Sequence, residues 1–327
     1  MRKDLAIMGA ATDLGQGKAG TELAPSWLRL KGSNEILTRK FFSLEDLGDI
    51  NPDSQGGDLR KANTEEAVIH QFIADYNQRL RDVAYESIVT KGKTLLTFGG
   101  DHSIAIGTLS ASVKSNPDMK VVWVDAHADI NTPKSSPSGN VHGMPLAFFF
   151  DLVKRKEMKE LFKWVPSLKR ENLVYIGLRD VDDGEIQILK DLGISAFYAE
   201  DVKAQGIEEV LKQTVNQLCP TGEEELHLSF DVDGLDPLYI PATGTPVPGG
   251  LSLYDGQLII NTLMKKSKVV SFDLVEVNPM LGASAEDLEK TASSVSQLLE
   301  AIPNWNEKEI NLPELLLKRN DRLSGEL

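Results

Sequence analysis

A chain of 327 residues, 41% hydrophobic and 26% charged, can bury a sizeable core and is not a disordered chain. Its 49 acidic residues against 35 basic ones give a formal charge of −14, which disfavours nucleic-acid binding, where clustered basic residues are needed. No apolar run approaches the roughly 20 residues of a membrane span, and the N-terminus shows no signal-peptide stretch. The single cysteine, Cys219, cannot close an intrachain disulfide and reads as a buried, inert thiol. The expected setting is therefore a reducing cytoplasm, with neither membrane nor nucleic acid as partner.

In chain order, the apolar runs predict a strand at Leu5–Met8, a long loop at Asp49–Ala62 and a helix at Glu65–Val89. A strand at Thr94–Phe98, a helix at Ser103–Ser115 and a strand at Lys120–Asp125 follow. A second loop, Thr132–Gly139, is rich in Ser and Pro, and reads as a binding loop. Beyond it come a strand at Leu173–Gly177, helices at Asp183–Leu192 and Ile207–Leu218, and a strand at Glu225–Asp231. A helix at Leu253–Lys265, a strand at Val269–Val275 and a helix at Ala285–Ala301 complete the series. No repeat or linker divides the chain, so a single domain is expected over residues 1–327, with a tail from about 304 to 327 whose packing is left open. The alternation predicts a mostly parallel sheet covered by helices on both faces, with ligands collecting beyond the carboxyl ends of the strands.

Polar residues cluster where strands end: Gly99-Gly100-Asp101-His102, Asp125-Ala126-His127-Ala128-Asp129, Asp231-Val232-Asp233 and Glu276. If the chain stays extended through Asp125, His127 and Asp129, their i, i+2, i+4 spacing puts all three on one face. Asp231 and Asp233 repeat that arrangement, and His102 adds a second imidazole. Four aspartates gathered in a protein interior repel one another and call for cations. Two divalent ions balance their charge. An oxygen-rich set with some imidazole and no thiolate suits manganese better than zinc or copper. Two metals about 3.5–4 Å apart can share a bridging water and lower its pKa towards neutrality. His70 and His227 carry no motif and read as structural.

These segments resemble the ureohydrolase family of arginases and agmatinases. The resemblance rests on Gly99-Gly100-Asp101-His102-Ser103, Trp123-Val124-Asp125-Ala126-His127-Ala128-Asp129 and Ser229-Phe230-Asp231-Val232-Asp233, and runs from about Ile7 to Ala301. It implies a three-layer α/β/α fold and two Mn²⁺ per subunit. His102, Asp125, Asp129 and Asp231 are implied as ligands of one ion. His127, Asp125, Asp231 and Asp233 are implied for the other. It also implies a homo-oligomer, a trimer or hexamer.

Within the family the loops resemble the arginase branch. Asn131, Ser138 and Asn140 would hold an α-carboxylate, and Asp182, with Glu185 near it, would meet an α-ammonium. Glu276 would grip a guanidinium, a planar fork suited to a carboxylate, and Thr245 would line its pocket. His142 would carry the proton to the leaving amine, and Asp129 would relay one from the bridging water. The expected reaction is hydrolysis of L-arginine to L-ornithine and urea by a metal-bridging hydroxide. A sister enzyme acting on agmatine or another guanidino acid, and a metal-binding scaffold without turnover, are the alternatives. Asp183 departs from the proline common at its position in arginases.

Overall fold

Parallel strands buried on both faces carry mostly Val, Ile and Leu, and the inner strands of this chain's eight-stranded sheet are of that kind. The computed structural model describes Arg2, residues 4–52 and residues 65–306. Its strands are β1 (Asp4–Ala10), β2 (Ser43–Ile50), β3 (Thr94–Gly99), β4 (Lys120–Val124), β5 (Leu173–Leu178), β6 (Ser195–Tyr198), β7 (Glu225–Asp231) and β8 (Lys268–Val275). They pair in the order β2-β1-β3-β8-β7-β4-β5-β6, every pair parallel.

Alternation along each strand builds two cores. Leu5, Ile7, Phe98, Val122, Val124, Ile176, Leu228 and Phe230 face one side, against Leu28, Leu37, Val210, Ile259, Leu263 and Leu298 of the helices there. Ala6, Met8, Leu95, Val121, Trp123 and Tyr175 face the other, against Tyr76 and Leu80 of helix Glu66–Tyr85 and Leu109 of helix Ala105–Ser115. Each such leucine or valine, fully buried, contributes about 1.5–3 kcal/mol of transfer free energy. The result is a three-layer α/β/α architecture.

Six strands and six helices fall where the sequence predicts them, with ends shifted by a few residues. The helix expected at Glu65–Val89 is α-helical over Glu66–Tyr85, and Glu86–Thr90 forms a wider π turn. Two strands, β2 and β6, and the shorter helices Ala24–Leu30, Ser33–Lys40, Pro145–Phe149, Lys156–Leu161 and Ala199–Gln205 were not anticipated. The expected Asp49–Ala62 loop is corrected at its start, where Asp49 and Ile50 complete β2, while residues 53–64 lie outside the described residues. Residues 304–306 of the expected tail are described, and Trp305 donates its N–H to the Lys40 carbonyl at 2.6 Å. The segment Leu315-Leu316-Leu317-Lys318-Arg319 lies outside the described residues. No helix among the described residues is long and apolar enough to cross a membrane.

Four adjacent central strands, β3-β8-β7-β4, end in the polar segments singled out above. Their neighbours β1 and β5 end in Ala11–Gly20 and Arg179–Asp182. Six strand ends therefore open on one crevice, as the rule for open α/β sheets requires.

Candidate metal centre

The aspartates do not reach the crevice in the way their spacing suggests. β4 ends at Val124, and Asp125–Asp129 is irregular rather than extended, with Asp129 in the left-handed region at φ 50°. Aspartate tolerates that conformation better than most residues, and the twist turns its carboxylate back towards His102. Asp231 closes β7, and Val232–Gly234 is a single 3-10 turn in which the Asp231 carboxylate accepts from the Asp233 N–H at 2.8 Å. Convergence comes from loop geometry, not from strand alternation.

Two groups of donors result, sharing Asp125. His102 Nδ1 lies 3.1 Å from Asp125 Oδ2, 3.0 Å from Asp129 Oδ2 and 3.3 Å from Asp231 Oδ2. His127 Nδ1 lies 3.3 Å from both Asp125 Oδ1 and Asp233 Oδ2. Thus one carboxylate presents a different oxygen to each imidazole. The six side chains expected as ligands lie in this region, all but His127 buried. Asp231, expected to serve both ions, approaches His102 but belongs to neither donor group.

Their surroundings fix the donor atoms. The His102 ring stacks on Trp123 with centroids 4.0 Å apart, and its Nε2 meets Ser229 Oγ at 2.8 Å. This second contact orients the ring so that Nδ1 faces the carboxylates. Trp123 Nε1 donates to Asp125 at 3.0 Å. Thr245 Oγ1 donates to Asp233 at 2.8 Å. Behind the loops, the Arg179 guanidinium donates to the carbonyls of Gly177, Asp233, Gly234, Leu235 and Val247, stitching β5 to the Asp233 turn.

The electrostatics call for cations. Burial, together with Asp233 and Asp125, pushes the Asp231 carboxyl well above the usual carboxylate range. Burial and Asp125 raise Asp129 to about 6. Burial opposes the charged form of His102, but the three aspartates outweigh it and hold the imidazole well above its ordinary value. A buried carboxylate cluster that must take up protons to persist is a cluster that divalent cations fit.

Beside it opens a cleft of 160 Å³, lined by His127, Asp129, Asp231, Asn131, Ser138, His142, Asp182, Glu185 and Thr245. Asn131 Nδ2 donates to Asp182 Oδ2 at 2.8 Å and its Oδ1 accepts from Ser135 Oγ at 2.8 Å. Glu185 is buried, and its oxygens accept the backbone N–H groups of Ile130 and Asp182 at 3.0 and 3.2 Å, so it braces both walls. Burial and Asp129 raise its pKa to about 8. Asn140 lies on the outer side of the loop, in a neighbouring cavity with Gly139 and Val141. Glu276 is not among the residues lining the cleft; it is buried behind His142, at φ 66°, a left-handed conformation uncommon for glutamate. Its Oε1 accepts from the His102 N–H at 2.9 Å and lies 3.2 Å from His142 Nδ1. Burial disfavours the His142 cation, but Glu276 overcomes this and raises its pKa to about 9.

Ser136 and Pro137, within the expected binding loop, and Asp180 also line the cleft. Gln16, which carries no sequence signal, donates to Glu276 at 2.8 Å. Asp101, within Gly99-Gly100-Asp101-His102, faces away from the donor groups and accepts from the Gly15 and Ser103 N–H groups at 2.8 and 2.9 Å. His70 and His227 are buried. His227 links Ser112 at 2.9 Å to Asp273 at 3.1 Å, a Ser–His–Asp chain. All three are sealed in the core, where no substrate reaches them, and the chain joins a helix to the sheet.

A three-layer α/β/α fold with two carboxylate–imidazole groups sharing an aspartate at its strand ends defines the class of binuclear metal hydrolases. The chain matches the Arginase family over residues 3–302, and it belongs to that family. It is 37% identical over 322 residues to the hepatic arginase of Aquarana catesbeiana, covering 96% of this chain and 98% of that one. The solved arginase of Bacillus caldovelox is 35% identical, with a TM-score of 0.81 over 94% of this chain and 100% of that one. The arginase of Entamoeba histolytica, solved in complex with L-ornithine, is 32% identical, with a TM-score of 0.79 over 92% of this chain and 98% of that one.

Proposed function

We propose that this hydrolase adds water to the guanidinium carbon of L-arginine, releasing urea and L-ornithine, with two Mn²⁺ ions as its metals. The observation that carries the reading is the joining of two donor groups, sharing Asp125, to a cleft walled by Asn131, Ser138 and Asp182. His102, Asp125, Asp129 and Asp231 would hold one ion, and His127, Asp125, Asp231 and Asp233 the other. When bound, the ions would lower the pKa of a water and supply the nucleophile near neutral pH.

The chain's own residues do the rest. Asn131 and Ser138 meet the α-carboxylate, with Asn140 shaping the loop from its outer side, and Asp182 pairs with the α-ammonium. Glu185 holds Asp182 and Ile130 in register. Glu276 receives the guanidinium by charge-assisted hydrogen bonds, beside Thr245. Asp129 takes the proton from the attacking water. His142 protonates the leaving amine. The E. histolytica arginase bound to L-ornithine supports an amino-acid product, and agmatine, which has no α-carboxylate, leaves one wall of the cleft unused.

The compartment we propose is a reducing cytoplasm, supported by the lone, buried Cys219, whose thiol burial and Glu224 push up to about 12. A single domain and a homo-oligomer belong to the same reading, the latter on the family resemblance alone. Sedimentation checks the assembly. For the reaction, the test is the ratio of kcat/KM for L-arginine to that for agmatine in Mn²⁺-loaded protein, and a ratio below one would overturn the substrate assignment.

A further inference from the structure

Glu276 lies buried between His102 and His142 on an unusual backbone. At φ 66° its Cα–Cβ bond is aimed by the main chain, which is pinned by its N–H on the Gly100 carbonyl at 2.9 Å and by Thr243 Oγ1 on its carbonyl at 2.8 Å. The carboxylate can still turn about its own side-chain bonds. Oε1 is engaged by the His102 N–H and by His142. Oε2 accepts from Gln16 Nε2 at 2.8 Å.

Gln16 is itself held in place. It is 6% exposed, on the segment that leaves β1 and crosses the end of β3. The preceding Gly15 gives its N–H to Asp101 at 2.8 Å and accepts the His142 N–H at 3.0 Å. Lys18 caps the Gly244 carbonyl, and Asn278 Nδ2 donates to the Ala19 carbonyl at 3.0 Å. A Cβ built at Gly244 would stand 3.1 Å from Gln16 Oε1 and 3.5 Å from Glu276 Oε2. The amide, the carboxylate and the bare Gly244 backbone therefore meet at one point, next to Thr245.

We propose that Gln16 is a positioning residue: its amide N–H fixes the plane of the Glu276 carboxylate so that this group is aligned for the guanidinium. The inference rests on the arginase reading above. Its chemistry explains why an amide stands there. A lysine or arginine on Oε2 would add a second cation to the one His142 brings to Oε1, and would compete with a cationic substrate. A neutral donor orients the carboxylate without cancelling its charge.

The test compares wild type with Gln16→Leu, which removes the donor at similar volume, and with unbranched Gln16→Met, all loaded with Mn²⁺. Wild type must first release urea from L-arginine; failure there sinks the arginase reading and not this one. Losing one hydrogen bond to a charged group predicts a KM for L-arginine raised roughly tenfold in both variants, a larger change than in kcat. L-norvaline has the same α-amino acid end but no guanidinium, so its affinity by calorimetry is predicted to stay within about twofold of wild type. Metal content is predicted to match wild type, and the melting temperature to fall by only a few degrees. An unchanged KM, equal weakening of L-arginine and L-norvaline, loss of metal, or failure of both variants to fold would overturn the proposal.

Discussion

His142, on the cleft wall, and Glu276, buried behind it, stand 3.2 Å apart, and each sets the charge of the other. Burial alone would neutralise the imidazole, yet its pKa is raised to about 9 by the glutamate. The protonated form is the one that can donate to a leaving amine, so it persists through neutral pH and is lost as pH rises through about 9. The same shift stabilises the fold below the ordinary histidine pKa, and that contribution disappears over the window up to about 9. Replacing His142 by Asn is expected to lower kcat by about 10²–10⁴ while leaving L-arginine binding near wild type, as measured by steady-state urea release.

Glu185 has the same sign of pH dependence, although here the neutral form is the one favoured. Burial and Asp129 raise its pKa to about 8, so the folded state binds a proton that the unfolded state has released. Its contribution to stability therefore falls as pH rises from the ordinary glutamate value through about 8. Glu185→Gln is expected to flatten the fall in melting temperature of metal-free protein across that window, measured by calorimetry at a series of pH values.

At the scale of elements, the site depends on close approach between the loops that follow β1 and β3. Gly100 donates to the Ala10 carbonyl at 2.7 Å, and a Cβ on it would lie 1.8 Å from the Thr12 carbonyl oxygen. Gly100→Ala must push the two loops apart, and is expected to destabilise the protein by about 1–3 kcal/mol in denaturant unfolding. The sequence makes these central elements legible because runs such as Val121-Val122-Trp123-Val124 are buried on both faces. It hides β2 and β6 for a related reason. They are the two edges of the sheet, and edge strands carry charge or stay short. Ser43–Ile50 reads as an acidic, half-exposed segment, and Ser195–Tyr198 spans four residues.

The donor residues were readable for their chemistry, since a D-x-H-x-D segment and a D-x-D segment at strand ends have few structural uses. Their route to one another was not. The left-handed turn at Asp129 and the 3-10 turn at Asp233 leave no mark in a period-2 pattern. Gln16 was invisible because the contact that defines it lies 260 positions away along the chain.

For the molecule as a whole, an eight-stranded sheet gathers carboxylates from separate strand ends into its interior. Without cations that arrangement works against folding. Chelation is therefore expected to lower the melting temperature, and restoring Mn²⁺ to raise it with a dependence on metal concentration, since the ions bind the folded state. The most direct measurement of the central claim is urea release by metal-depleted protein given L-arginine or agmatine, before and after Mn²⁺ is restored. The account predicts little urea from either compound without metal, and with metal a kcat/KM far higher for L-arginine. Mn²⁺-restored protein that releases no urea from L-arginine, or that prefers agmatine, would contradict it.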